Sequence, residues 1–192
     1  MIVDIIKEMK EMKGSKLIVG VIFFVSALSY GYLLIHPTVG MDDTGIERYF
    51  VEGYAPHVGR WTIYLLNLFF DFAHYVPWFT DLCGVILLGL SAYLFCFLWD
   101  RISNGTVNRL SLVAFSTVFM SFSLVGEVYI FYLHNGVSLA FFLMALTGLQ
   151  WWYFIQDGKM FRLLLVLGCV SLAIGCYESF ALVFLVLFAS IY

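Results

Sequence analysis

The sequence predicts an all-α polytopic membrane protein: a transmembrane helical bundle whose long first outer loop carries short interfacial helices. Three observations predict it. Of 192 residues, 62% are apolar and only 12% charged, against about 45–50% and about 25% in soluble domains. The apolar residues fall into runs separated by short polar stretches. Twenty Phe, twelve Tyr and five Trp suit a lipid-facing surface with aromatic belts. A soluble enzyme of this size must show water about half its surface as polar groups, so that class is disfavoured. A net charge of -3 leaves no basic footprint for nucleic acid.

Residues 1–16 hold Lys7, Lys10, Lys13 and Lys16 and read as a cytoplasmic N-terminus. The first span is 17–35, free of charge. Ala27-Leu28-Ser29 resembles a signal-peptide cleavage site, but the apolar run continues past it and exceeds an h-region. Residues 36–81 form an outer loop too long for a turn. Further spans follow at 82–99, 110–126, 137–154 and 163–176. A sixth begins at 179 and is still apolar at Tyr192, which suggests the N-terminal part of a longer protein. The alternative is a hydrophobic end buried in partners.

With the N-terminus inside, eight of the ten Lys and Arg are cytoplasmic, as the positive-inside rule favours. Only Arg48 and Arg60 lie outside, with all four His (His36, His57, His74, His134). The outer His show no zinc-ligand spacing. Cys83, Cys96, Cys169 and Cys176 form no CxxC pair and read as small apolar residues in helices.

The outer loop holds the chemistry. Asp42 and Asp43 lie just beyond the first span. Adjacent carboxylates repel, which raises one pKa and suits a general base. The pair suits Mg2+ or Mn2+ equally well, and a solvated turn with a helix cap is the plain structural reading. Asp43 or Thr44 is positioned to cap a helix running through Tyr54, ended by Pro56. A second stretch, 61–72, suits an amphipathic helix along the interface. Arg48 and Arg60 match a lipid phosphate, which a guanidinium binds through two parallel hydrogen bonds. For Arg48 an ion pair with Asp43, Glu47 or Glu52 is the competing reading. Gly59 permits close approach beside Arg60, and Trp61 suits an interfacial anchor. Asp71, His74 and Asp81 read as solvated.

Two acids lie at the outer ends of other spans. Glu127 ends the third, and an acid near lipid depth is a functional candidate; reaching outer water is the alternative. Glu178 interrupts an apolar run from residue 163 to the chain end, too long for one crossing. With Gly175 it marks a reversal at the outer face, either binding sugar or bonding a neighbouring helix.

The stretch from Met41-Asp42-Asp43 through Arg48-Tyr49 to Gly59-Arg60-Trp61 resembles the first outer loop of GtrII-type bacterial glucosyltransferases. Tyr177-Glu178-Ser179-Phe180 is similar to that family too, although Tyr-Gln is commoner there. The resemblance implies a GT-C-like membrane glycosyltransferase in the bacterial plasma membrane, its active site facing outside. The implied donor is a polyprenyl-phosphate-linked sugar, glucose, and the acceptor a surface glycan. Carried over, Asp42 or Asp43 deprotonates the acceptor hydroxyl, whose oxygen attacks and inverts the anomeric carbon. Arg48 or Arg60 stabilises the departing phosphate, with Glu127, Trp61, Tyr177 and Glu178 as substrate-binding candidates. The alternative function is a multi-span transporter or lipid flippase. That class needs ionisable groups near the bilayer midplane, where this sequence has almost none.

Overall fold

The computed structural model describes residues 2–12, 14–36, 54–70, 77–122 and 134–191. Among them the chain is helical, without strands. In order these are α1 (Ile2–Glu11), α2 (Ser15–Ile35), α3 (Tyr54–His57), α4 (Trp61–Phe70), α5 (Pro77–Ile102), α6 (Arg109–Ser121), α7 (His134–Asp157), α8 (Met160–Cys176) and α9 (Phe180–Ile191).

Among the described residues three stretches are long and apolar enough to cross a bilayer: Ser15–Ile35, Asp81–Ile102 and Gly136–Asp157. α6, α8 and α9 are shorter apolar helices. The bundle carries large apolar side chains on its outside, among them Phe23, Phe24, Leu28, Leu182 and Val186. Water would not tolerate such a surface, whereas lipid does.

Local chemistry sets the helix ends. The Asn108 side chain accepts from the Leu110 N–H at 3.0 Å and caps α6. Asn104 and Gly105 take positive φ in the turn before it, a conformation Asn and Gly tolerate best. α1 carries Ile2, Ile5, Ile6 and Met9 at helical spacing, with Asp4, Lys7, Glu8 and Glu11 between.

α7 is the central helix, packed on α5 and α8. Gly148 lets its neighbours in: a Cβ there would lie 2.6 Å from Leu98 Cδ2 and 3.1 Å from Leu187 Cδ2. Small residues permit such close approach in a bilayer, where no hydrophobic force drives helices together. A row of rings joins α5, α6, α7 and α9. Phe95 meets Phe119 at 5.7 Å, Phe119 meets Phe141 at 5.3 Å and Phe141 meets Phe180 at 4.9 Å, within the range for edge-on aromatic pairs.

These contacts fix the direction of each helix. Ser15 meets Tyr93 and Ile22 faces Gly89, so α2 runs antiparallel to α5. Arg101 and Tyr153 share Glu8, so α5 and α7 run the same way. The described Lys and Arg other than Arg60 therefore gather at one end of the bundle. There Arg101 pairs with Glu8 at 3.7 Å, and the Tyr153 hydroxyl donates to Glu8 Oε2 at 3.1 Å. Arg162, 7% exposed, donates to Asp157 Oδ2 at 2.9 Å and to Gln150 Oε1 at 3.1 Å. Its guanidinium also lies over the Tyr153 ring at 4.8 Å. Removing one partner of a buried pair leaves a desolvated charge. Asp157→Ala should therefore lower the melting temperature, because Arg162 stays buried while its partly exposed carboxylate partner is gone. Thermal unfolding in detergent measures this.

Two expectations need correction. Asp81 is not solvated: it is 7% exposed and engaged by neighbours. α5 starts at Pro77 rather than at residue 82, so Asp81 joins a helix packed against α2 and α7. The 61–72 stretch is helical over its described residues. Its helix, Trp61–Phe70, packs on α8 and buries Thr62 and Ile63. Pro56 does not end a helix at Tyr54: it sits inside the helical turn Tyr54–His57, and in a first turn its missing N–H leaves no bond unmade.

Candidate functional site

The opposite end of the bundle holds the C-termini of α2 and α8 and the starts of α5, α7 and α9. α8 separates the two ends by 17 residues, roughly 25 Å at 1.5 Å per residue. α4 is wedged here between α7 and α8. Two glycines make room for it. A Cβ on Gly136 would lie 2.8 Å from Ile63 Cδ1. A Cβ on Gly175 would lie 2.5 Å from Trp61 Cε2 and 2.6 Å from its Nε1. Trp61 and Thr62 thus rest directly on the α8 backbone.

Gly59 precedes α4 with φ 83, a left-handed conformation that a side chain would strain. Its N–H donates to the Pro56 carbonyl at 3.0 Å. This turn delivers Arg60 to the position just before α4, beside the turn that joins α8 to α9. That turn forms because α8 ends at Cys176, whose successor Tyr177 is extended at φ -157 and ψ 125. The chain re-enters a helix at Phe180.

Arg60, Trp61, Tyr177 and Glu178 consequently form one cluster. Arg60 Nε lies 3.4 Å from Glu178 Oε2. The Arg60 guanidinium carbon lies 4.3 Å from the Tyr177 ring centroid, within cation–π range. The Arg60 side chain is 17% exposed and that of Glu178 61%. An arginine stays charged at any working pH, so the cluster is a fixed, half-buried cation with an aromatic floor and a solvated counter-ion. The Glu178 backbone N–H, with help from Arg60, holds the Glu178 carboxyl below its ordinary range, against partial desolvation. Because Glu178 is largely in water, the ion pair contributes little to stability. Its effect is to orient the guanidinium.

Asp42, Asp43, Arg48 and Glu127 lie outside the described residues, so four of the eight site candidates have no geometry here. The other four meet. Among the described residues no three His, Cys, Asp or Glu side chains gather as a metal site. Mg2+ or Mn2+ therefore rests on the Asp42-Asp43 pair alone, and no step is derived through a cation. Two polar residues at this end carried no sequence signal. The Thr62 hydroxyl is buried and makes no hydrogen bond among the described residues, and a lone Thr in an apolar helix is unremarkable. Asp81 was hidden by the late start assigned to its helix. Cys176, buried beside Gly136, is a packing residue.

Gly175→Ala should push α4 off α8, because the indole of Trp61 is rigid and cannot yield as a flexible chain end would. The Arg60–Tyr177 contact would then open. A gain of several-fold in modification of a cysteine placed at Ser179 measures that opening in folded protein; unchanged reactivity would show that α4 stays seated. No protein family, curated protein or solved structure matches this chain.

Proposed function

We propose that the chain is the catalytic part of a membrane glycosyltransferase that moves a sugar from a polyprenyl-phosphate carrier to a surface glycan. The observation that carries this reading is the Arg60–Tyr177–Glu178 cluster at the end of the bundle remote from the other described Lys and Arg. Positive charge is depleted on the outer side of membrane proteins. A guanidinium held there at headgroup level suits a lipid phosphate.

In this reading Tyr177 and Glu178 position Arg60 and Trp61 anchors the helix that follows it. A guanidinium has five N–H donors, so pairing at Nε is compatible with phosphate bound elsewhere on it. Arg60, joined by Arg48, neutralises the phosphate as the bond from the anomeric carbon to the phosphate oxygen breaks. Asp42 or Asp43 takes the proton of the acceptor hydroxyl, whose oxygen forms the new bond from the opposite face. The product is the inverted glycoside, and the leaving group is the polyprenyl phosphate. Glucose as the sugar, and the bacterial plasma membrane as the location, follow from the resemblance to GtrII-type enzymes. A transporter needs charge near the midplane, whereas the ionisable groups named here sit at the two ends.

Topology tests the reading. A cysteine at Ser179 should react with an impermeant maleimide added outside intact cells, and one at Asn104 should react only after lysis. The reverse pattern would place Arg60 on the side where no outer-face transfer occurs.

A further inference from the structure

An apolar cavity of about 880 Å³ runs between α2 and α5, in the volume range of ligand sites. It belongs to neither the Arg60 cluster nor the helix packing. Its half nearest the basic end is lined by Lys10, Ser15, Val19, Ile22, Gly89 and Tyr93. The walls change character along this half. Val19, Ile22 and Gly89 offer only hydrocarbon and backbone, and Gly89 lets α2 close on α5 at the base of the groove, since a Cβ there would lie 3.2 Å from Ile22 Cγ2. At the mouth the Tyr93 hydroxyl donates to the Met9 carbonyl at 2.7 Å and lies 2.6 Å from Ser15 Oγ. With the tyrosine proton committed to Met9, Ser15 donates to Tyr93 and keeps lone pairs for another donor.

Among the described side chains, charge at the mouth is positive. Glu8 is taken by Arg101 and Tyr153, and Glu11 pairs with Lys7 at 4.0 Å. Among the described residues, the exposed Lys10 and Lys16 are in no ion pair. A slot that is greasy within and cationic at its membrane-surface rim complements a single-headed anionic amphiphile, and complements an uncharged helix less well.

We propose that the α2–α5 groove binds one anionic phospholipid, its acyl chain along Val19, Ile22 and Gly89 and its phosphate at Lys10, at the end of the bundle opposite Arg60. The proposal does not depend on the glycosyltransferase reading, since it uses neither Arg60 nor transfer activity.

Native mass spectrometry tests it, with the purified full chain in detergent offered equal phosphatidylglycerol and phosphatidylcholine. The wild type should retain one phosphatidylglycerol about fivefold over phosphatidylcholine, the attraction of roughly one lysine for an anionic headgroup. Lys10→Gln should erase that preference and still bind lipid. Gly89→Leu should lose the retained lipid. Equal retention of the two lipids by wild type, or an unchanged Gly89→Leu, overturns the proposal. Should Gly89→Leu fail to fold, Phe23→Trp in mixed vesicles keeps it decidable. Its emission should be quenched more by dibrominated phosphatidylglycerol than by dibrominated phosphatidylcholine, and equal quenching overturns the proposal. High-yield disulfide formation between copies of Ala27→Cys in the same vesicles would show a second chain in the groove, and likewise overturns it.

Discussion

Asp42→Asn or Asp43→Asn should lower sugar transfer by about 10²- to 10⁴-fold, the usual contribution of a positioned general base, with the chain still inserted at normal level. The acceptor hydroxyl is a poor nucleophile until its proton leaves, and an amide cannot take it. Both residues follow α2 in the sequence, after its end at Ile35. The two single variants separate the roles. A base loses nearly all rate when replaced, whereas a neighbour that only raises the base's pKa shifts the pH profile and leaves a residual rate. Transfer is read as labelled sugar moved from polyprenyl-phosphate donor into the glycan fraction of membranes. Full transfer by the double variant would end the catalytic reading of the pair.

Arg60→Ala should cut transfer by about 10²-fold, the scale for losing one charged or hydrogen-bonding group aimed at developing negative charge. The loss should appear in dependence on donor and leave dependence on acceptor nearly unchanged. Glu178→Gln should have a smaller effect of the same kind, since the amide still accepts from Arg60 Nε but no longer pairs with its charge. A purely structural ion pair predicts a different pattern: both variants would lower stability slightly and leave donor dependence alone. The acid limit adds a check. The Glu178 carboxyl titrates below its ordinary value of 4.5 in the folded chain. A group with a lowered folded value contributes fully above its unfolded value and loses that contribution as pH falls through the folded one. Donor dependence should therefore show no pH dependence from Glu178 above pH 4.5 and worsen as pH falls further. Glu178→Gln should remove that acid limb.

Much of the architecture was legible because lipid imposes a simple grammar. Long uncharged runs must be helices, and the Lys and Arg that separate them mark one end. That reading placed Arg101, Arg109, Lys159 and Arg162 in connections the fold gathers at the basic end. It did not reveal that Arg101 and Arg162 are tied into a network with Glu8, Asp157, Tyr153 and Gln150, because those partners come from two other helices, α1 and α7. Arg60 and Glu178 could each be singled out, one as an outer cation and one as a break in an apolar run. Their meeting across 118 residues of sequence depends on α4 seating against Gly136 and Gly175, and nothing in a one-dimensional pattern marks a glycine as a seat. Asp81 was misread for a related reason. Its environment depends on where α5 begins, and a Pro-Trp pair looks the same before a helix as within its first turn.

The account's central claim is that the Arg60 cluster is a donor-phosphate site, and direct donor binding tests it without requiring acceptor or turnover. Purified chain in detergent should bind a short-chain polyprenyl-phosphate glucose saturably by calorimetry. Arg60→Ala should weaken that binding at least tenfold, while the uncharged polyprenol binds both proteins weakly and equally. Undiminished binding of the phosphate-linked sugar by Arg60→Ala, or equal affinity of wild type for the phosphate-free alcohol, would contradict the account.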